Sequence, residues 1–187
     1  MFMPFIGSLF YFSTAPRYFS TSNINTKLTV IFVLTIMIPL LIFYFLKRLK
    51  IITSIHLVTT RQRIIPLTLN VLILLLIVQH IIPINEFNEL YYFFIGALLS
   101  TITCLILAFL KFKASIHMAA IAGILMFFIA ISINYNIHII NIIILVFVAN
   151  GAIAMSRIHV NAHNYIELII GFFIGLIPQL ILVNYWL

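Results

Sequence analysis

The chain of 187 residues is 65% hydrophobic and 7% charged, and its formal net charge is +7. A soluble domain of this size could not cover so much apolar surface with so few charges, which excludes the soluble protein classes. The excess of Lys and Arg is typical of membrane topology and of contact with anionic headgroups, and it does not indicate a nucleic-acid partner. The composition therefore predicts an all-α integral membrane protein.

The predicted elements begin with a short apolar segment, "MFMPFIGSLFYF", which is not long enough to cross a membrane. It lacks the basic start of a signal peptide, so we expect residues 1–24 to form an interfacial or re-entrant arm. Residues 27–187 then form a six-helix bundle, and the whole chain is a single transmembrane domain. The six apolar runs lie at about 27–46, 65–83, 91–110, 116–134, 137–155 and 167–186.

The charged residues divide unequally between the two membrane faces that six spans define. The face with the loops after the first, third and fifth spans carries Lys47, Arg48, Lys50, Arg61, Arg63, Lys111, Lys113 and Arg157. The opposite face carries Arg17, Lys27, Glu86 and Glu89. The positive-inside rule would make the basic face cytoplasmic, provided that its cations serve topology rather than a site.

The most polar run in the last third of the chain is "SRIHVNAHNYIE", from Ser156 to Glu167. If this segment is helical, Ser156, His159, His163 and Glu167 lie on one face. A charge at the centre of a membrane helix costs about 2.5–3.5 kcal/mol, so such a cluster indicates a functional site. The plain alternative is an interfacial loop whose histidines reach the headgroups.

A second polar segment, "KFKASIHM", contains Lys111, Lys113, Ser115 and His117 on the same predicted face. The cations of this face suit a phosphate group, because Arg offers a bidentate fork and Lys a compact charge. A histidine held by a carboxylate is a good nucleophile or base. The residues alone therefore predict a phosphate-binding site at headgroup depth.

The spacing in the first of these segments resembles a known family signature. Ser156–Arg157, His163 and Glu167 match the third signature of the type 2 phosphatidic acid phosphatases, S-R-x5-H-x3-D, in every position except the last. These proteins are membrane lipid phosphate phosphatases related to the vanadium haloperoxidases. The resemblance covers about residues 47–175, and the six predicted spans agree with it.

The other two family signatures match less closely. Residues 114–117, "ASIH", are similar to the second signature, P-S-G-H, but without its proline and glycine. The first signature, K-x6-R-P, has no clean counterpart, and the nearest stretch is "RQRIIP", from Arg61 to Pro66. Losing the glycine is expected to change a backbone geometry that glycine adopts easily. The longer Glu167 is expected to reach the histidine only if its helix sits back.

The resemblance implies a role for each matching residue. His163 would attack phosphorus and form a phosphohistidine, Glu167 would hold the other ring nitrogen, and His117 would protonate the leaving oxygen. No metal or other cofactor would be needed. The residues that would hold the phosphate are Arg157, Ser115, Ser156, Lys111, Lys113, Arg61 and Arg63.

The implied substrate is a lipid phosphate or diphosphate that enters from the bilayer: phosphatidic acid, phosphatidylglycerol phosphate or a polyprenyl diphosphate. We expect a monomer or homodimer in the cell (inner) membrane. The resemblance favours the outer, periplasmic side for the site. We prefer that side because cations that bind phosphate do not report topology.

Two other interpretations remain open at the level of sequence. His159, His163 and Glu167 also read as H-x3-H-x3-E, a spacing that can hold a divalent metal in a membrane hydrolase. A catalytically inactive relative or a transporter would use the same basic face only to bind anionic lipid headgroups. The position of His117 relative to His163 distinguishes a phosphate site from scattered interfacial histidines.

Overall fold

The computed structural model describes residues 2–16, 20–49 and 60–187, so Arg17 and Lys50 lie outside the described residues. In these ranges every regular element is a helix, which confirms the predicted all-α membrane bundle with a short apolar arm. The arm is α1, Met3–Thr14. Six longer apolar helices follow: α2 Thr21–Arg48, α3 Thr60–Ile81, α4 Asn88–Phe109, α5 Ile116–Asn134, α6 Ile140–His159 and α7 Tyr165–Val183.

The six predicted runs agree with these helices to within a few residues at most ends. The largest difference is at the first span, which begins at Thr21 rather than near residue 27. Ser20 is the reason, because its hydroxyl accepts a hydrogen bond from the backbone N–H of Asn23 at 3.3 Å and caps the helix. The polar residues that follow Ser20 therefore belong to α2 and not to the arm.

The segment from Ser156 to Glu167 is not one continuous helix, so the condition for a shared helix face is not met. Helix α6 ends at His159, and α7 begins only at Tyr165. Asn161 between them has a φ of 50°, a left-handed conformation that ends helices and that Asn tolerates. The four polar residues consequently do not share a helix face, and His163 and Glu167 reach each other across the start of α7 instead.

The bundle is built around α5, the most buried of its spans. Helix α7 packs closely along α5 because Gly171 and Gly175 leave no side chain between them. A Cβ at Gly171 would lie 2.6 Å from the carbonyl oxygen of Ser115, and one at Gly175 would overlap the carbonyl of Ala119. Helix α6 also packs on α5 but leaves most of its own surface exposed.

The arm packs against α2, α4 and α5. Near its C-terminal end the Tyr11 hydroxyl donates to the Glu89 carboxylate at 3.0 Å, and the ring of Phe10 stacks on Phe128. Its first turn reaches the interior, where Met3 lines a cavity with residues of α3 and α5. Helix α1 thus enters the bundle from the face that carries Glu89.

Candidate phosphate site

Glu167 holds His163 at the start of α7. Nδ1 of His163 lies 2.7 Å from Oε2 of Glu167. Asn164 caps the helix: its side chain accepts from the Glu167 N–H at 2.8 Å, and its own N–H donates back to Oε2 at 3.3 Å. The carboxylate is therefore fixed near a helix N-terminus, where the helix dipole favours negative charge.

Arg63 on α3 occupies the other side of the same imidazole. Its Nη2 lies 3.2 Å from Nε2 of His163, and its Nη1 donates to the carbonyl of Ala114 at 2.9 Å. Because the carboxylate can only accept, Nδ1 carries the ring proton and Nε2 presents its lone pair to the guanidinium. His163 is therefore oriented as a neutral imidazole with Nε2 directed at a cation.

Burial sets the protonation of His163, which is only 9% exposed. Burial lowers the pKa of His163 below its usual 6.5; the hydrogen bond to Glu167 raises it, and the nearby Arg63 lowers it. The net direction is downward, so the ring is neutral at neutral pH. A neutral imidazole whose Nε2 carries a lone pair has the protonation state that a nucleophile or a general base requires.

The loop between α4 and α5 supplies the rest of the site. Ser115 is fully buried, its hydroxyl accepts from the Met118 N–H at 3.5 Å, and its own N–H donates to the Glu167 carbonyl at 3.1 Å. Lys113 donates through Nζ to the carbonyl of Ala162 at 2.7 Å. Burial and the nearby Arg63 lower the pKa of Lys113, an effect that Glu167 partly offsets. These contacts join this loop to the α6–α7 connection.

The departure at the second signature does not strain the backbone. Ser115 is the N-cap of α5 in an extended conformation, and Ile116 is the first helical residue. Neither has a positive φ, so isoleucine fits the backbone at position 116 without strain. The longer Glu167 likewise reaches the histidine without difficulty, from the third position of α7.

His117 and Arg157 face the same region. His117 and Arg63 both line one cavity, and the His117 ring is within electrostatic range of Arg157 and His163. Arg157 lies in the last turn of α6, and its Nε is buried with no partner among the described residues. His117 thus shares a cavity with Arg63, and Arg157 has hydrogen-bonding capacity left over among the described residues.

The structure does not bring every predicted residue to this site. Ser156, Lys111, Arg61 and His159 are all exposed, and among the described residues they make no side-chain hydrogen bond with His163 or Glu167. Lys111 takes a φ of 62° at the turn after α4. The described part of the chain contains no group of three metal-ligating side chains, so His159, His163 and Glu167 are not assembled as ligands.

The site combines the Glu167 carboxylate with two cations, Arg63 and Lys113, near a neutral imidazole, and the Arg157 backbone carbonyl accepts from the His163 N–H at 3.4 Å. The excess positive charge in a buried setting favours an anion, and guanidinium groups fit phosphate oxygens. Sequence reasoning did not anticipate the direct contact of Arg63 with His163. The N-x-x-E pattern of Asn164 and Glu167 was a readable signal for the helix start.

Comparisons with known proteins do not add to this description. No family model, no curated protein and no solved structure gives a significant match to the chain.

Proposed function

We propose that this integral membrane protein is a phosphatase that hydrolyses a lipid phosphate or diphosphate through a phosphohistidine on His163. The observation that carries the proposal is the placement of the His163 ring, with Nδ1 on Glu167 and Nε2 beside Arg63. A nucleophile directed at a cation meets the phosphorus of any phosphate that the cation binds.

The first chemical step forms a bond between Nε2 of His163 and phosphorus while the bond from phosphorus to the lipid oxygen breaks. Glu167 stabilises the positive charge that develops on the ring. Arg63, Lys113 and Arg157 hold the non-bridging phosphate oxygens as their charge is redistributed. His117, which begins the cycle protonated, gives this proton to the leaving oxygen, so the lipid departs as an alcohol, or as a monophosphate when the substrate is a diphosphate.

The second step releases inorganic phosphate. Water attacks the phosphohistidine, His117 accepts the proton that the water loses, and the bond from phosphorus to Nε2 breaks. The overall change is the hydrolysis of one phosphate ester or anhydride with no net change in the protein. Ser115 contributes by fixing the loop that carries His117, since its backbone is bonded to Glu167.

The test is phosphate release by the purified protein in detergent with EDTA present, measured on phosphatidic acid, phosphatidylglycerol phosphate and a polyprenyl diphosphate. His163→Ala is compared with His138→Ala, which removes an exposed histidine near the opposite face. We expect release by wild type and by His138→Ala, and none by His163→Ala. Lipid binding without release in any of these proteins would favour an inactive headgroup-binding relative or a transporter.

We further propose that the site opens on the outer side of the cell membrane. Under the positive-inside rule the basic residues indicate the cytoplasmic side. Several of them are the proposed phosphate ligands, so their number is weaker evidence for topology. Lys111→Cys in a Cys104→Ser background places a single cysteine at the exposed turn beside the site. Labelling of that cysteine in intact cells by a membrane-impermeant maleimide is the expected result, and labelling only after lysis would reverse the orientation.

A further inference from the structure

An apolar cavity of about 370 Å³ extends from the phosphate site into the membrane interior. This volume lies at the lower end of the range for ligand sites, about 300–1,000 Å³. Arg63 and His117 line the cavity, and nearly all its other lining residues are apolar. The cavity therefore has a cationic, reactive end and a long hydrocarbon-like remainder.

The α3 residues that line the cavity cover a distance comparable to one leaflet of a bilayer. Its lining along α3 extends from Arg63 to Ile73, ten residues apart, which is about 15 Å at 1.5 Å per residue. The hydrocarbon core of a bilayer is about 30 Å thick, so the cavity spans about half of it. A lipid chain in the same leaflet would run parallel to this space.

Two prolines lie where the cavity separates α2 from α3. Pro39 has no N–H for the carbonyl four residues before it, and the preceding turn is a π-helix in which the Ile38 N–H bonds to the carbonyl of Val33. Pro66 similarly interrupts the hydrogen bonding of α3. The part of α2 after Pro39 packs only lightly on α3, which leaves the space between them open.

The first turn of α1 forms the inner end of the cavity. Phe2 and Met3 line it, and Met3 also borders Asn70 on α3. The position of this turn is fixed by the rest of α1, because Tyr11 is bonded to Glu89 and the ring of Phe93 packs on Gly7. The arm is therefore a rigid end wall and not a loose lid.

We propose that this cavity receives one hydrocarbon chain of the lipid phosphate, and that Met3 and Ala120 determine the chain length it accepts. The proposal rests on the proposed function for the identity of the headgroup. A chain entering from the bilayer exchanges one apolar environment for another, so it gains little from hydrophobic transfer. Fit within the walls then decides which chains bind productively.

The first measurement is kcat/KM for octyl phosphate, hexadecyl phosphate and phenyl phosphate, which has no alkyl chain. Ala120→Phe fills the cavity one turn from His117. It is expected to lower the value for hexadecyl phosphate about tenfold, because the ring occupies space that the chain needs and a loss of about 1.4 kcal/mol in productive binding is tenfold. Phenyl phosphate hydrolysis should change less than about twofold. Ala152→Phe on the exposed surface of α6 is the matched control and should behave as wild type.

Met3→Ala provides a variant with the opposite expectation. Shortening the end wall should raise the ratio of hexadecyl to octyl phosphate hydrolysis, whereas Ala120→Phe lowers it. A general loss of folding cannot move this ratio in opposite directions in two variants. Equal effects on all three substrates, or no effect on the ratio, would overturn the assignment of the cavity to the chain.

The second measurement does not depend on turnover. An alkyl phosphate with a diazirine at its chain end is crosslinked to the His163→Ala protein, and the labelled peptides are identified by mass spectrometry. We expect labelling of the cavity walls. Ala120→Phe should abolish this labelling, and Ala152→Phe should preserve it. Labelling only on the exposed face of α6, or equal labelling by an uncharged alcohol with the same chain, would refute the proposal. Cavity labelling in a protein that hydrolyses none of the substrates would refute the phosphatase function alone.

Discussion

The guanidinium of Arg63 lies 3.2 Å from Nε2 of His163, although 100 residues separate them in the chain. The contact joins α3 to the connection between α6 and α7, and Arg63 also holds the carbonyl of Ala114 in the loop before α5. Arg63 is only 5% exposed, so its charge is retained inside the bundle by these acceptors and by the Glu167 carboxylate nearby. Burying the Arg63 guanidinium costs solvation free energy, and its contact with the lone pair of His163 is the central feature of the site.

Replacing Arg63 should therefore reduce phosphate transfer more than folding. We expect Arg63→Lys to lower kcat/KM about 100-fold, the scale at which a single donor to a developing oxyanion acts. Lysine keeps the charge but cannot bridge His163 and Ala114 with two parallel donors. The measurement is kcat/KM with phenyl phosphate, so that chain binding does not contribute. Arg61→Lys, at an exposed position on the same helix, is the control. An Arg63→Lys enzyme within twofold of wild type would contradict the role.

Glu167 has a structural contact with the Asn164 cap and a proposed catalytic role, and two variants separate them. Glu167→Gln removes the charge that stabilises the developing imidazolium, and we expect kcat to fall by about 10³- to 10⁴-fold, as for other triad acids. Asn164→Ala removes the side-chain cap and should cost about 1 kcal/mol of stability while leaving the His163–Glu167 bond in place.

The measurements are kcat and the thermal midpoint in the same detergent. A loss of about 1 kcal/mol corresponds to a shift of roughly 2–4 °C for a chain of this size. Asn164→Ala should show that shift with most of its activity retained. The assignment fails if both variants lose stability and activity in the same proportion.

Sequence patterns predicted the fold well because the membrane dictates it. Each span is an apolar run long enough to cross the bilayer, and the run at 116–134 coincides with α5, Ile116–Asn134. Periodicity failed at Ser156–Glu167 because a backbone reversal at Asn161 overrides the helical spacing there. Which cation meets His163 depends on tertiary packing between distant helices, and spacing alone could not choose Arg63 over Arg61, Lys111 or Lys113.

The pH dependence of catalysis should reflect the lowered pKa of His163. Burial lowers the pKa of His163, the hydrogen bond to Glu167 partly offsets this effect, and the nearby Arg63 adds to it. The ring therefore stays neutral at pH values somewhat below the usual pKa of 6.5. We expect the acidic limb of the kcat/KM profile for phenyl phosphate to lie below pH 6.5, because this limb reports the protonation of His163. In Glu167→Gln the raising contribution is lost, so the limb should move to still lower pH. A limb that moves upward in that variant would contradict the assignment.

The same shift has a consequence for stability. Between the lowered pKa of folded His163 and about 6.5, the unfolded chain binds more protons than the folded chain, so stability rises with pH in that window. Above 6.5 both states are neutral and the contribution is flat. His163→Gln should flatten the thermal midpoint across the window relative to wild type, and His138→Gln should not. A slope that is unchanged in His163→Gln would assign the acid sensitivity to other groups.

The packing of α7 on α5 positions Glu167 and is sensitive to a single methyl group. Gly171→Ala places a Cβ 2.6 Å from the Ser115 carbonyl oxygen, so the two helices must separate at the level of the Ser115–Glu167 backbone bond. We expect a loss of about 1–3 kcal/mol in stability, typical of overpacking, and a reduced kcat because the carboxylate moves with α7. Gly151→Ala on α6 is the matched control, since a Cβ there meets no atom within 4 Å.

The control should be neutral or stabilising by roughly 0.4–1 kcal/mol, because alanine restricts the unfolded chain and fits the helix. The measurement is the thermal midpoint and kcat of both variants on phenyl phosphate. A Gly171→Ala protein as stable and active as Gly151→Ala would show that the α5–α7 contact can relax without moving Glu167. The site would then depend on the Asn164 cap and on Arg63 rather than on helix packing.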